Sequence, residues 1–93
     1  MTSLNHKQTL DMFLAKIRVT LRKSILDPQG KAVEHAIGTL NVRGVQEVRI
    51  GRYIEMKVDA ADESAAKVIT DEVCKRLLAN PVMEDYHFDV ARI

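Results

Sequence analysis

The chain has no tryptophan, one cysteine, two prolines, four glycines, two tyrosines and two phenylalanines among its 93 residues. A lone thiol, Cys74, forms no internal disulfide and cannot by itself supply the ligands of a zinc site. It suits a reducing compartment, so the cytoplasm is the expected location. So few rings exclude an RNA-recognition platform, which stacks bases on two or three outward aromatics of its central strands. Fourteen Lys and Arg against thirteen Asp and Glu leave a net charge of +1, without the basic excess of a domain that binds through phosphates. Nucleic acid is therefore not an expected partner. No run approaches the ~18 apolar residues of a membrane span. The first residues lack a signal-peptide or lipidation pattern, and a soluble, untargeted chain with no membrane partner is expected. What is present is an ordinary globular balance, 46% hydrophobic and 29% charged, in a length that makes one domain. Against roughly 1.5 kcal/mol of ordering entropy per residue so short a domain has little stability to spare, and an oligomer is expected.

Residues 1–11 are mostly polar without a sustained period and read as a flexible N-terminal extension, leaving residues 12–93 as the single domain. From Phe13, the residues Phe13, Ala15, Ile17, Val19 and Leu21 alternate with Leu14, Lys16, Arg18, Thr20 and Arg22, the pattern of a half-buried strand. Asp27-Pro28 supplies a cap and a first helical residue. Val33, Ala36, Ile37 and Leu40 then place an apolar stripe on one face of a helix, predicted to pack on the core. Two alternating runs, Val48 and Ile50, then Ile54, Met56 and Val58, flank Gly51-Arg52 and read as a tight hairpin. Asp62, Glu63 and Ser64 open a second helix with the stripe Ala66, Ile69, Val73 and Leu77, ended by Asn80-Pro81. Tyr86, Phe88 and Val90 alternate in a last strand. The order predicts an α+β fold, a two-layer βαββαβ, ferredoxin-like antiparallel sheet with both helices on one face. The other face, with Leu14, Lys16, Arg18, Tyr53, Glu55 and Lys57, is left for solvent, ligand or another chain.

Residue types that carry chemistry do not converge in this reading. There is no Cys-x-x-Cys after the first strand, where Arg22-Lys23-Ser24-Ile25-Leu26 stands instead. A phosphoryl-binding loop with an arginine is needed there by small phosphatases of this topology, but the comparable Asn41-Val42-Arg43-Gly44-Val45-Gln46 follows the first helix. There Gly44 reads as a turn residue. His6, His35 and His87 fall on three different segments and read as solvated or half-buried polar residues. Cys74 reads as a small apolar residue, and Asp59, Asp62 and Glu63 as a helix start that favours negative charge without an ion. No catalytic or metal-ligating residue is assigned, and the chain reads as a binding or assembly module.

Three ordered stretches carry a family resemblance: residues 19–33, with Asp27-Pro28-Gln29-Gly30 as the clearest mark; Val48-Arg49-Ile50-Gly51-Arg52-Tyr53-Ile54-Glu55; and Cys74-Lys75-Arg76-Leu77-Leu78-Ala79-Asn80-Pro81-Val82-Met83-Glu84-Asp85-Tyr86. Together they resemble the PurS family, the small subunits of bacterial and archaeal phosphoribosylformylglycinamidine synthase. Arg52 stands where lysine is common in that family. The resemblance implies a non-catalytic subunit acting in the fourth step of de novo purine synthesis. Formylglycinamide ribonucleotide, glutamine and ATP there give formylglycinamidine ribonucleotide. It implies a homodimer or higher homo-oligomer that bridges a glutaminase subunit, PurQ, and a synthetase subunit, PurL. No cofactor is expected on this chain, ATP and magnesium being used by the synthetase. Exposed turns on a rigid sheet make small, specific contacts, so Asp27, Pro28, Gln29, Gly30, Gly51, Arg52 and Tyr53 are the expected partner surface. Leu14, Lys16, Arg18 and Glu55 on the uncovered sheet face are the expected oligomer surface. The competing reading is a regulatory domain of the same topology with a small-molecule pocket between paired sheets.

Overall fold

The computed structural model describes residues 10–93. Three strands, β1 (Asp11–Leu21), β2 (Gly51–Ala60) and β3 (Glu84–Arg92), form an antiparallel sheet in the order β2-β1-β3. Helix α1 (Pro28–Thr39) lies between β1 and β2. Helix α2 (Glu63–Val73), continued by a π-helical turn over Cys74–Leu78, lies between β2 and β3. The α+β, ferredoxin-like class read from the sequence is therefore the observed one. Residues 1–9 of the expected N-terminal extension, His6 among them, lie outside the described residues. Its last residue, Asp11, already belongs to β1, where its carboxylate accepts from Arg92 at 2.6 Å.

The central strand dictates the core. Phe13, Ala15, Ile17 and Val19 are fully buried, and with Val58, Ala60 and Val90 they form a face that α2 covers. Asp62 caps α2 by accepting from the Ala65 N–H at 2.8 Å. The packed face of α2 is Ala66, Thr70 and Cys74, spaced by four, and not the expected stripe: Ile69 and Leu77 are exposed, Leu77 by 78%. Small side chains let the helix lie close to the sheet. The Thr70 hydroxyl is satisfied within the helix by the Ala66 carbonyl at 2.8 Å, so its burial leaves nothing unpaired. The π turn, closed by the Ala79 N–H on the Cys74 carbonyl at 3.0 Å, then rotates Leu77 away from the sheet.

Two expectations are corrected. There is no hairpin at Gly51-Arg52: β2 runs straight through them, Gly51 opposite Thr20 and Arg52 opposite Val19, and residues 45–50 pair with no strand. The reason lies in the parity of the apolar positions. Val48, Ile50, Ile54, Met56 and Val58 are all even-numbered, which one extended strand keeps on one face. A two-residue turn pairs position 50 with 53, and would place Val48 and Ile50 on the opposite face from Ile54 and Met56.

The second correction concerns α1. Its stripe is not packed on the core; Val33, Ala36 and Leu40 are exposed, and the only buried residue of the helix is Gly30. Residues 28–50 form an arm beyond the end of the sheet, and the molecule measures 64 × 28 × 16 Å.

Candidate partner-binding site

The base of this arm is where the sequence motifs meet. Asp27 is buried at 4% exposure and spends its carboxylate twice. Oδ1 accepts from the Gly30 N–H at 3.0 Å, capping α1, and Oδ2 accepts from the Ile50 N–H at 2.7 Å, at the threshold of β2. These two donors, with Arg49 nearby, hold its carboxyl below the ordinary aspartate value of 3.8. Pro28 occupies the first helical position, where its missing N–H costs nothing. Gly30 is required by proximity: a Cβ there would stand 2.2 Å from the Val48 carbonyl oxygen and 2.6 Å from Asp27 Oδ2.

Arg49 closes the base from the other side. Its guanidinium donates to the carbonyls of Leu21, Arg22 and Ile25 at 3.3, 2.9 and 3.2 Å, tying the loop after β1 to the chain entering β2. The Val48 N–H donates to Glu34 of α1 at 3.3 Å. Sequence reasoning assigned neither Arg49 nor Glu34 a role. An arginine in an alternating run reads as a solvated position, and only the bend of the chain brings three carbonyls to it, that of Arg22 already accepting from the Ile25 N–H at 2.9 Å.

Arg52 organises the adjacent corner. It faces the helix side of β2, forks onto Glu84 at 2.9 and 3.0 Å, and donates to the Leu78 carbonyl at 2.7 Å. Glu84 also accepts from the Asn80 N–H at 2.8 Å, and both contacts hold its carboxyl below the usual value. One bidentate pair thus fixes the end of the π turn, the start of β3 and the start of β2. Gly51 is as constrained as Gly30, since a Cβ would lie 2.4 Å from the Val19 carbonyl oxygen.

Asp27, Gln29, Gly51, Arg52 and Glu84 surround one shallow cavity of about 200 Å³. Of the expected partner surface the structure therefore brings Asp27, Gln29, Gly51 and Arg52 together, with Pro28 and Gly30 in the same turn. Tyr53 is not among them. It points to the opposite face of the sheet, where its hydroxyl donates to Glu55 at 2.8 Å. That face also carries Lys16 and Arg18, exposed, and the half-buried Leu14; Arg18 pairs with Asp89 at 3.4 Å. It is polar and laced by ion pairs.

Cys74 is buried against α2's neighbours and its thiol is pushed up by burial and by Asp71, away from a reactive thiolate. Among the described residues no three His, Cys, Asp or Glu side chains converge on a possible metal position. No helix of the described residues is long and apolar enough to cross a membrane.

The sequence model of the PurS family, phosphoribosylformylglycinamidine (FGAM) synthase, matches residues 14–92. The chain is 43% identical over 82 residues to the synthase subunit PurS of Bacillus subtilis, covering 88% of this chain and 96% of that one. It is 46% identical over 78 residues to PurS of Synechocystis, covering 84% and 78%. Among solved structures it resembles the purS subunit of Thermotoga maritima with a TM-score of 0.79 at 31% identity, covering 90% and 94%. It also resembles a chain of the Thermotoga maritima PurLQS structure, with a TM-score of 0.78 at 30% identity, covering 88% and 98%. On a match that spans almost every described residue, this chain belongs to the PurS family of FGAM synthase subunits.

Proposed function

We propose that the chain is the assembling, non-catalytic subunit of its synthase, seating PurQ and PurL so that ammonia released by one reaches the other. The observation that carries this is the corner formed by Asp27, Gln29, Gly51, Arg52 and Glu84, which is fixed by the hydrogen bonds of Asp27 and the Arg52–Glu84 pair yet open to solvent. A rigid exposed corner is suited to docking, and it holds no nucleophile or base positioned by a partner group. The match to a chain of a PurLQS structure supports the same reading. Ammonia lost to water is protonated and diluted, so two active sites that share it must be held in register. ATP and magnesium belong to the synthetase subunit in this scheme, this chain binds no cofactor, and the complex works in the cytoplasm. The chain acts as a homodimer or higher oligomer. The face of Leu14, Lys16, Arg18 and Glu55 provides one contact between copies.

The test is formylglycinamidine ribonucleotide formation by the matching PurL and PurQ, with and without this chain. Glutamine-driven activity is expected only with it, while ammonia-driven activity persists without it. A chain that alters neither reaction and co-migrates with neither subunit sinks the proposal. A thermal shift with an amino acid or nucleotide in that case would favour the regulatory-domain reading.

A further inference from the structure

We infer that residues 77–83 form a pre-set apolar prong, tipped by Leu77, Val82 and Met83, which enters an apolar socket on the synthase subunit seated at the neighbouring Arg52–Glu84 corner. This rests on the assembling role proposed above and says what kind of surface the partner brings. The π turn is the first observation. Leu77 stands three residues past Cys74 and seven past Thr70, so an unbroken α-helix would carry it onto the sheet with them. The wider turn gives that place to Ala79, which is buried, and leaves Leu77 78% exposed. A rare turn thus puts a leucine into water where an ordinary one would bury it, and such turns gather at functional positions. The loop that follows is the second observation. The Asn80 carbonyl accepts from the Met83 and Glu84 N–H groups at 3.2 and 2.8 Å, and Asn80 Oδ1 accepts from the Val82 N–H at 2.9 Å. The side chains of Arg22 and Arg52 donate to the Pro81 and Leu78 carbonyls at 2.6 and 2.7 Å, and the Arg22 N–H donates to the Met83 carbonyl at 2.9 Å. The backbone is tied inward, and what is left outward is apolar: Val82 is 75% exposed and Met83 42%. A loop already fixed loses little freedom on docking, and there a few apolar side chains contribute most to affinity.

Two arguments select the occupant. Among the described residues the four main cavities all carry charged side chains, Lys31 and Glu34 in one, Lys23 and Asp27 in the next, Arg22 and Asp85 in the third, Arg52 and Glu84 in the last. A second copy therefore presents no enclosed apolar socket for the prong among those residues. Three side chains are also too few for the roughly 800 Å² that each side of a stable complex covers, so the prong belongs to a wider contact. The corner supplies it. Glu84 ends the loop and pairs with Arg52, so a subunit resting on the corner meets the prong at its rim.

Two measurements test it. Val82→Cys adds an exposed thiol to a chain whose own Cys74 is buried, so alkylation by a maleimide reads the prong alone. In the assembled complex with PurL and PurQ, labelling is expected to slow by about tenfold or more relative to the free chain, as for a thiol closed off from the reagent. Leu77→Ala with Val82→Ala changes two exposed positions and is nearly neutral for folding. It is expected to raise the concentration of chain that gives half-maximal glutamine-driven synthesis by about tenfold or more, the usual effect of emptying an apolar anchor pocket. Its melting midpoint and sedimentation mass should match those of the parent. Unslowed labelling together with an unchanged half-maximal concentration overturns the prong, while the assembling role stands because the parent still activates. A Val82→Cys thiol already unreactive in the chain alone, or a fall in sedimentation mass of the double variant, assigns the socket to a second copy and overturns it as well. A parent that supports no glutamine-driven synthesis and co-migrates with neither subunit overturns both the prong and the assembling role.

Discussion

At Gly30 the place a side chain would take is closed by both the Val48 carbonyl and the Asp27 carboxylate, and neither neighbour can withdraw because each residue holds a hydrogen-bonded position. Gly30→Ala is expected to destabilise the chain by about 1–3 kcal/mol in chemical denaturation, the usual cost of overpacking against fixed atoms. Asp27 offers a pH test. Its folded carboxyl is held below 3.8, so its contribution is fully present above that pH and is lost as the pH falls through the depressed value. Asp27→Asn should therefore melt below the parent at neutral pH, and the two midpoints should converge in strong acid. Tyr86 works in the opposite sense. Its hydroxyl donates to Asp71 at 2.5 Å, and this bond, with burial, pushes the phenol up to about 12 from 10.0. The folded state then holds the proton more tightly, so this stability is complete below pH 10.0 and lost as the pH rises towards 12. Tyr86→Phe should lower the midpoint at neutral pH and remove that alkaline loss, read from melts across the range.

At the scale of elements, Arg52 joins three segment ends through one planar fork. Lysine can place a charge beside Glu84 but cannot also reach the Leu78 carbonyl with the same geometry. Arg52→Lys is expected to cost roughly 0.5–1 kcal/mol, modest because the pair is partly exposed, measured by denaturant titration. This element scale is also where the sequence was most and least informative. β1 and β3 were legible because Phe13 to Val19 and Tyr86 to Val90 bury alternate residues against one helix. The caps at Asp27 and Asp62 were legible because capping is local. The fate of α1 was not, since an amphipathic stripe states that a face will be covered without stating by which chain. Gly51-Arg52 suggested a turn through composition, although its glycine serves a close approach to the Val19 carbonyl. The π turn left no signal, being the outcome of packing Ala66, Thr70 and Cys74 on the sheet and then needing Ala79 buried. Of the candidate site, the Asp27 to Gly30 turn and Gly51-Arg52 could be singled out from the sequence, but their meeting depended on Arg49 and Glu84, whose partners are far along the chain.

For the whole molecule, the radius of gyration of 18.5 Å is well above the roughly 12 Å of a closed domain of this length. A chain so extended leaves much of its apolar surface unburied until it associates, so its thermal midpoint is expected to rise with protein concentration over the micromolar range. A midpoint independent of concentration would contradict this. The unbroken even parity from Val48 to Val58 has a consequence for how such chains tolerate changes in length. One residue inserted between Ile50 and Ile54 would barely alter the composition, yet it would turn Val48 and Ile50 onto the ion-paired side of Arg18 and Glu55. Insertions of two there should be borne far better than insertions of one, although both fall in the same exposed stretch.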